Sequence, residues 1–129
     1  MRKDLAELDG LYLTCYATVE EIVSCPKGKY GIKDILLVYI FYEVSGRLEK
    51  NKYGIWFPTT SQKYLEDHVW CRFNVYDNFW GGLSLDDLEE GNCISFNARV
   101  KPYEKGAIGR REIDYTLTDF ENIEIISSY

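Results

Sequence analysis

Cys93-Ile94-Ser95-Phe96-Asn97-Ala98-Arg99-Val100-Lys101-Pro102-Tyr103 alternates between two chemistries. Successive β side chains point to opposite faces, so one face collects Ile94, Phe96, Ala98, Val100 and Pro102. The other collects Ser95, Asn97, Arg99, Lys101 and Tyr103. The first set belongs in a core. The second mixes cations, amides and an aromatic, a combination suited to a flat, negatively charged ligand. This reading predicts a strand over 93–103 with one dry and one recognising face.

The same alternation recurs outward from it. Over 69–76, Val69, Cys71, Phe73 and Val75 oppose Trp70, Arg72, Asn74 and Tyr76. At about 11–24, Leu11, Leu13, Cys15, Ala17 and Val19 oppose Tyr12, Thr14, Tyr16, Thr18 and Glu20. The segment 32–45 is nearly continuous apolar sequence. Alternation puts Leu36, Val38, Ile40, Tyr42 and Val44 on one face, and Leu37, Tyr39, Phe41 and Glu43 on the outward one. Strands at 112–118 and 122–127 close the chain.

The connections carry turn chemistry. Cys25–Gly31 has one proline and two glycines as breakers. Residues 45–52 form a polar link to a short strand at 53–58 that Pro58 ends, and Thr60 or Ser61 then caps a brief helix over Gln62 to Asp67. Asp77–Gly82 is a loop bearing Phe79 and Trp80, with Trp80 its anchor. Ser84 and Asp87 have the spacing of a capping start to a short helical turn. A short helix or turn over 2–9 ends before Gly10, and a basic loop runs from Lys105 to Arg110.

With 129 residues the chain reads as a single domain spanning 1–129. A hydrophobic content of 46% with 28% charged residues argues against wholesale disorder. The formal net charge of −6 opposes sequence-independent nucleic-acid binding, which depends on phosphate neutralisation. Its distribution is uneven. From Arg99 to Arg111, Arg99, Lys101, Lys105, Arg110 and Arg111 face one anion, Glu104, while acids gather at 86–90 and 112–124.

Four cysteines without a CxxC pair and one histidine, His68, leave no zinc ligand set. Cys15, Cys71 and Cys93 fall within strands, as buried free thiols do. The sequence shows no apolar leader and no membrane-length stretch. The expectation is a cytoplasmic protein with reduced thiols and no membrane contact. No phosphate-cradling GxxxxGK[ST], GxGxxG, GxSxG or HExxH motif occurs. The adjacent acids Asp86/Asp87 and Glu89/Glu90 read as a solvated turn and His68 as a surface residue. We therefore expect no enzyme, no catalytic residue, no metal and no cofactor.

The phrase Leu88-Glu89-Glu90-Gly91-Asn92-Cys93-Ile94-Ser95-Phe96-Asn97-Ala98-Arg99-Val100 resembles the "leucine, acidic, glycine, polar, alternating strand" phrase of OB-fold nucleic-acid-binding proteins. Tyr103-Glu104-Lys105-Gly106 and Asp114-Tyr115-Thr116-Leu117 are similar to stretches in small proteins of this kind from bacterial and archaeal mobile elements. The resemblance covers about 85–118, and Asn92 stands where the family favours aspartate. It implies a mainly all-β chain, a five-stranded OB-type barrel with one or two short helical segments. Such barrels bind single strands across the outer face of their middle strands and the flanking loops.

On that reading the candidate nucleic-acid-binding residues are Tyr39, Phe41, Trp70, Arg72, Tyr76, Arg99, Lys101, Tyr103, Lys105, Arg110 and Arg111. Aromatic rings stack on bases while arginine and lysine follow phosphates. Loops 25–33 and 105–111 would act as clamps. The expected partner is single-stranded DNA or RNA. A different class remains open: a protein-interaction, inhibitor or accessory module using the barrel surface and the acidic flanks. Leu37, Tyr39 and Phe41 would form an apolar face suited to a homodimer.

Overall fold

The computed structural model describes residues 3–106, 109 and 112–127. The long first strand β1 (Tyr12–Ser24) lies centrally, bonded on one side to β2 (Ile32–Lys50) and on the other to β4 (Cys93–Lys105). β3 (Trp56–Asn74) pairs with the far edge of β2, and β5 (Glu112–Ser127) with the far edge of β4. The result is one antiparallel sheet in the order β3-β2-β1-β4-β5. Its two edges approach each other. The Thr116 hydroxyl on β5 donates to the Trp70 carbonyl on β3 at 3.3 Å, so the sheet curls back toward itself. A one-turn helix α1 (Lys3–Ala6) and two 3-10 turns, Pro26–Gly28 and Leu85–Asp87, complete the described elements. Among the described residues no helix is long and apolar enough to cross a membrane.

Alternation translates directly into burial along β1 and β4. Leu13, Cys15, Ala17 and Val19 of β1 and Ile94, Phe96, Ala98 and Val100 of β4 are buried, and the residues between them are partly exposed. Phe73 and Phe120 stack at 4.0 Å between centroids with 19° between planes, and Phe96 meets Phe120 edge-on at 5.4 Å. Leu5 of α1, together with Leu85 and Leu88, joins this core.

The glycine–polar phrase before β4 has a local cause. Gly91 sits at φ +93°, and its N–H donates to the Val19 carbonyl at 2.7 Å. The buried Asn92 side chain accepts the Glu89 N–H at 2.7 Å, so the turn fastens β4 to β1. The expected capping start is also present, since the Asp87 carboxylate accepts the Ser84 N–H at 2.7 Å.

Several expectations need correction. The brief helix over Gln62 to Asp67 is absent, because those residues belong to β3 and pair with β2. β2 also runs through the expected polar link as far as Lys50. The hairpin turns at Asn51, whose side-chain oxygen accepts the N–H groups of Tyr53 at 2.9 Å and Ile55 at 3.0 Å. Pro58 does not end a strand; β3 is an edge strand, where a missing N–H is tolerated. A long partner strand thus overrides local propensity.

The facing of β2 is reversed in its first half. Ile35 and Leu37 are fully buried, whereas Leu36 and Val38 are half-buried on the other side. Tyr39 lies at φ +50°, and the β1–β2 register shifts between Tyr16 and Thr18 at this point. This bulge rotates the strand, so Ile40 is buried and Tyr39 exposed. The apolar dimer face built on Leu37 therefore does not exist as expected. Pro102 and Val75 are exposed rather than inward, and Tyr76 lies in a turn beyond β3. The two closing strands are one, bent at Asp119 (φ +56°) and Asn122 (φ +52°).

Candidate nucleic-acid interface

The outer face of the β2–β3 ribbon is built from three cross-strand pairs: Asp34 opposite Arg72, Leu36 opposite Trp70, and Val38 opposite His68. Trp70 is 43% exposed, held at the seam by the Thr116 hydrogen bond to its carbonyl. Arg72 donates to Asp34 from Nε at 2.8 Å and from Nη2 at 3.2 Å. A cleft of about 490 Å³ lies here, lined by Asp34, Trp70, Arg72, Tyr103, Thr116 and Thr118. Trp70, Arg72 and Tyr103 from the sequence-derived set thus converge.

The other candidates fall elsewhere. Tyr39 and Phe41 line a depression of about 390 Å³ with Tyr16 and Gln62, where Phe41 packs edge-on against Tyr64 at 5.5 Å. Tyr76 and Arg99 line a third, of about 420 Å³, with Tyr12, Asp77, Asp119 and Glu121. Lys101 and Lys105 are exposed on β4. Arg110 and Arg111 lie outside the described residues.

Among the described residues, the cations of the expected basic patch are each paired with a carboxylate of the chain. Asp119 pairs with Lys101 at 2.9 Å and with Arg99 at 3.9 Å. Arg99 also donates to the Gly10 carbonyl at 2.7 Å and lies over the Tyr12 ring at 5.4 Å. Lys105 pairs with the buried Asp114 at 2.8 Å. The hydrogen bond to Asp114 raises the Lys105 pKa above its ordinary value, and that to Asp34 does the same for Arg72. Burial, then the hydrogen bond and charge of Glu121, push the Tyr12 hydroxyl up to about 12. A hydrogen bond to Glu43 raises Tyr16, and burial raises Asp77.

Sequence reading missed the carboxylate partners Asp34, Asp114 and Asp119. Alternation reports the face a residue occupies but not the neighbour that register brings beside it. Among the described residues no three His, Cys, Asp or Glu side chains converge to hold a metal ion. None of the four cysteines forms a disulfide; Cys15 and Cys71 are buried, Cys93 is half-buried and Cys25 exposed. What the cleft offers is aromatic surface, one oriented guanidinium and hydroxyls. No family model, curated protein or solved structure matches the chain.

Proposed function

We propose that the sheet closes as an OB-type barrel and that the chain binds single-stranded nucleic acid across its outer β2–β3 face. The strand order supports the barrel, because β3 and β5 are the two ends of the sheet and are joined by the Thr116–Trp70 hydrogen bond. OB folds use the face of strands 2 and 3 with the flanking loops for oligonucleotides. The observation that carries the reading is the convergence of Trp70, Tyr103 and Arg72 in one cleft on that face. Bases stack on the two rings, and Arg72 contributes a planar cation.

Since the described cations of this region already hold carboxylates, few counterions are released on binding. Affinity then rests on stacking and its salt dependence is shallow. Fluorescence anisotropy of labelled single-stranded DNA and RNA tests this. Trp70→Ala and Tyr103→Ala are each expected to weaken binding by roughly 1–3 kcal/mol. Absence of binding at low salt overturns the reading.

A second reading, a protein-docking module, is favoured by the same neutralisation, which leaves the net charge of −6 to the acidic flanks. It predicts a protein partner retained after nuclease treatment and lost on charge reversal of Glu89 and Glu90.

A further inference from the structure

The far half of the β2–β3 hairpin has no core to serve. Between Ile40 and Leu65 none of the described side chains is fully buried, and only Tyr42 packs against the core. Isolated two-stranded ribbons are marginal in water. This one nevertheless exposes Leu48, Tyr53, Ile55 and Trp56, each by more than half of its surface. Over 47–63 the sequence places four cations, Arg47, Lys50, Lys52 and Lys63, against one carboxylate, Glu49, in a chain of net charge −6.

The described lysines here differ from those of the barrel. Lys50 Nζ lies 5.8 Å from the Trp56 centroid and Lys52 Nζ 5.1 Å from that of Tyr53. Among the described residues neither lysine pairs with a carboxylate. Aromatic surface and uncompensated positive charge therefore coincide on the arm, while Arg72, Arg99, Lys101 and Lys105 are each held by an acid.

We propose that this arm is a second binding element for single-stranded nucleic acid, taking the length of strand that continues past the barrel face. The proposal rests on the nucleic-acid reading above. Continuity and charge favour this occupant. Trp70 and Trp56 lie on the same strand, fourteen residues and roughly 45 Å apart at the usual rise. The exposed Tyr64, packed on Phe41, lies between them. A polymer laid along the ribbon meets both ends, and a polyanion supplies the countercharge that the arm lacks. A lipid surface would engage only the tip.

The test compares the parent chain with Lys50→Gln/Lys52→Gln, and separately with Trp56→Ala. Labelled single strands of about 6 and about 16 nucleotides are used, lengths within the range that OB folds occupy. The parent should bind the long strand more tightly than the short by about tenfold or more, the gain of a second linked contact. Both variants should bind the short strand as the parent does and lose that gain. The double lysine variant should also lower the slope of log K against log salt by about 1.4 for the long strand. The substituted side chains are exposed, and an unchanged thermal midpoint verifies the fold. Variants that bind the long strand as tightly as the parent overturn the arm proposal and leave the barrel reading intact. A parent that binds neither strand overturns both. Arm-dependent flotation with phosphatidylserine vesicles, with strand binding unaltered, overturns the arm proposal in favour of lipid.

Discussion

The guanidinium of Arg72 and the carboxylate of Asp34 meet as two parallel forks across β2 and β3, with contacts at 2.8 and 3.2 Å. The pair sits in the cleft that Trp70 and Tyr103 also line. A phosphate reaching this arginine must compete with a carboxylate of matching geometry.

Removing that competitor should strengthen binding. Asp34→Asn is expected to raise affinity for single-stranded oligonucleotides by up to about fivefold, the ratio a surface pair of ~1 kcal/mol represents. It should also steepen the salt slope by about 0.7, one phosphate contact. Anisotropy titrations at several salt concentrations read both effects. Unchanged affinity would remove Arg72 from the site.

The core should report its aromatic cluster. Phe96→Ala is expected to cost roughly 3–5 kcal/mol, because Phe96 is fully buried and meets Phe120 edge-on. Phe73 and Phe120 should couple by about 0.5–1.5 kcal/mol in a double-mutant cycle, as their stacking implies. Urea denaturation supplies these values. Near-neutral Phe96→Ala would invert the facing of β4.

Tyr39 offers a backbone test. An exposed tyrosine at φ +50° adopts a region in which glycine carries no Cβ penalty. Tyr39→Gly should therefore hold or raise the denaturation midpoint, while Tyr39→Val should lower it. The opposite order would mean that the tyrosine ring, and not the bulge, supports this part of β2.

Legibility in the sequence followed the continuity of each strand. β1 and β4 alternate without interruption through their paired stretch, so their buried residues were readable one by one, with Leu11 and Pro102, both exposed, the exceptions beyond it. β2 was not readable in its first half, because nothing about a tyrosine announces a left-handed backbone, and one such residue exchanges the two faces. The helix expected over Gln62 to Asp67 failed for a related reason: a local pattern carries no information about Ile40 to Glu43, which pair with that segment. The outward placement of Trp70, Arg72 and Tyr103 was legible from alternation. Their acidic neighbours were not, since Asp34 reaches Arg72 through pairing register and Asp119 reaches Lys101 from a bend in β5.

Alkaline pH should weaken the fold in a defined window. Burial and Glu121 raise Tyr12 from 10.0 to about 12. The folded state therefore keeps a proton that the unfolded state releases. The stabilisation is complete below about pH 10 and disappears as pH rises toward 12. Thermal midpoints measured from pH 9 to 12 should fall less steeply in Tyr12→Phe than in the parent. Parallel profiles would remove Tyr12 as a source of the dependence.

The central position of β1 also has a consequence in time. Its partner on one side is the next strand in the chain, but on the other Tyr12 pairs with Arg99. During synthesis the β1–β2–β3 segment emerges before β4 and can pair locally, while the other edge of β1 stays unsatisfied until β4 has been made. The nascent chain thus presents an open strand margin on β1 until β4 emerges, a template to which another chain can add.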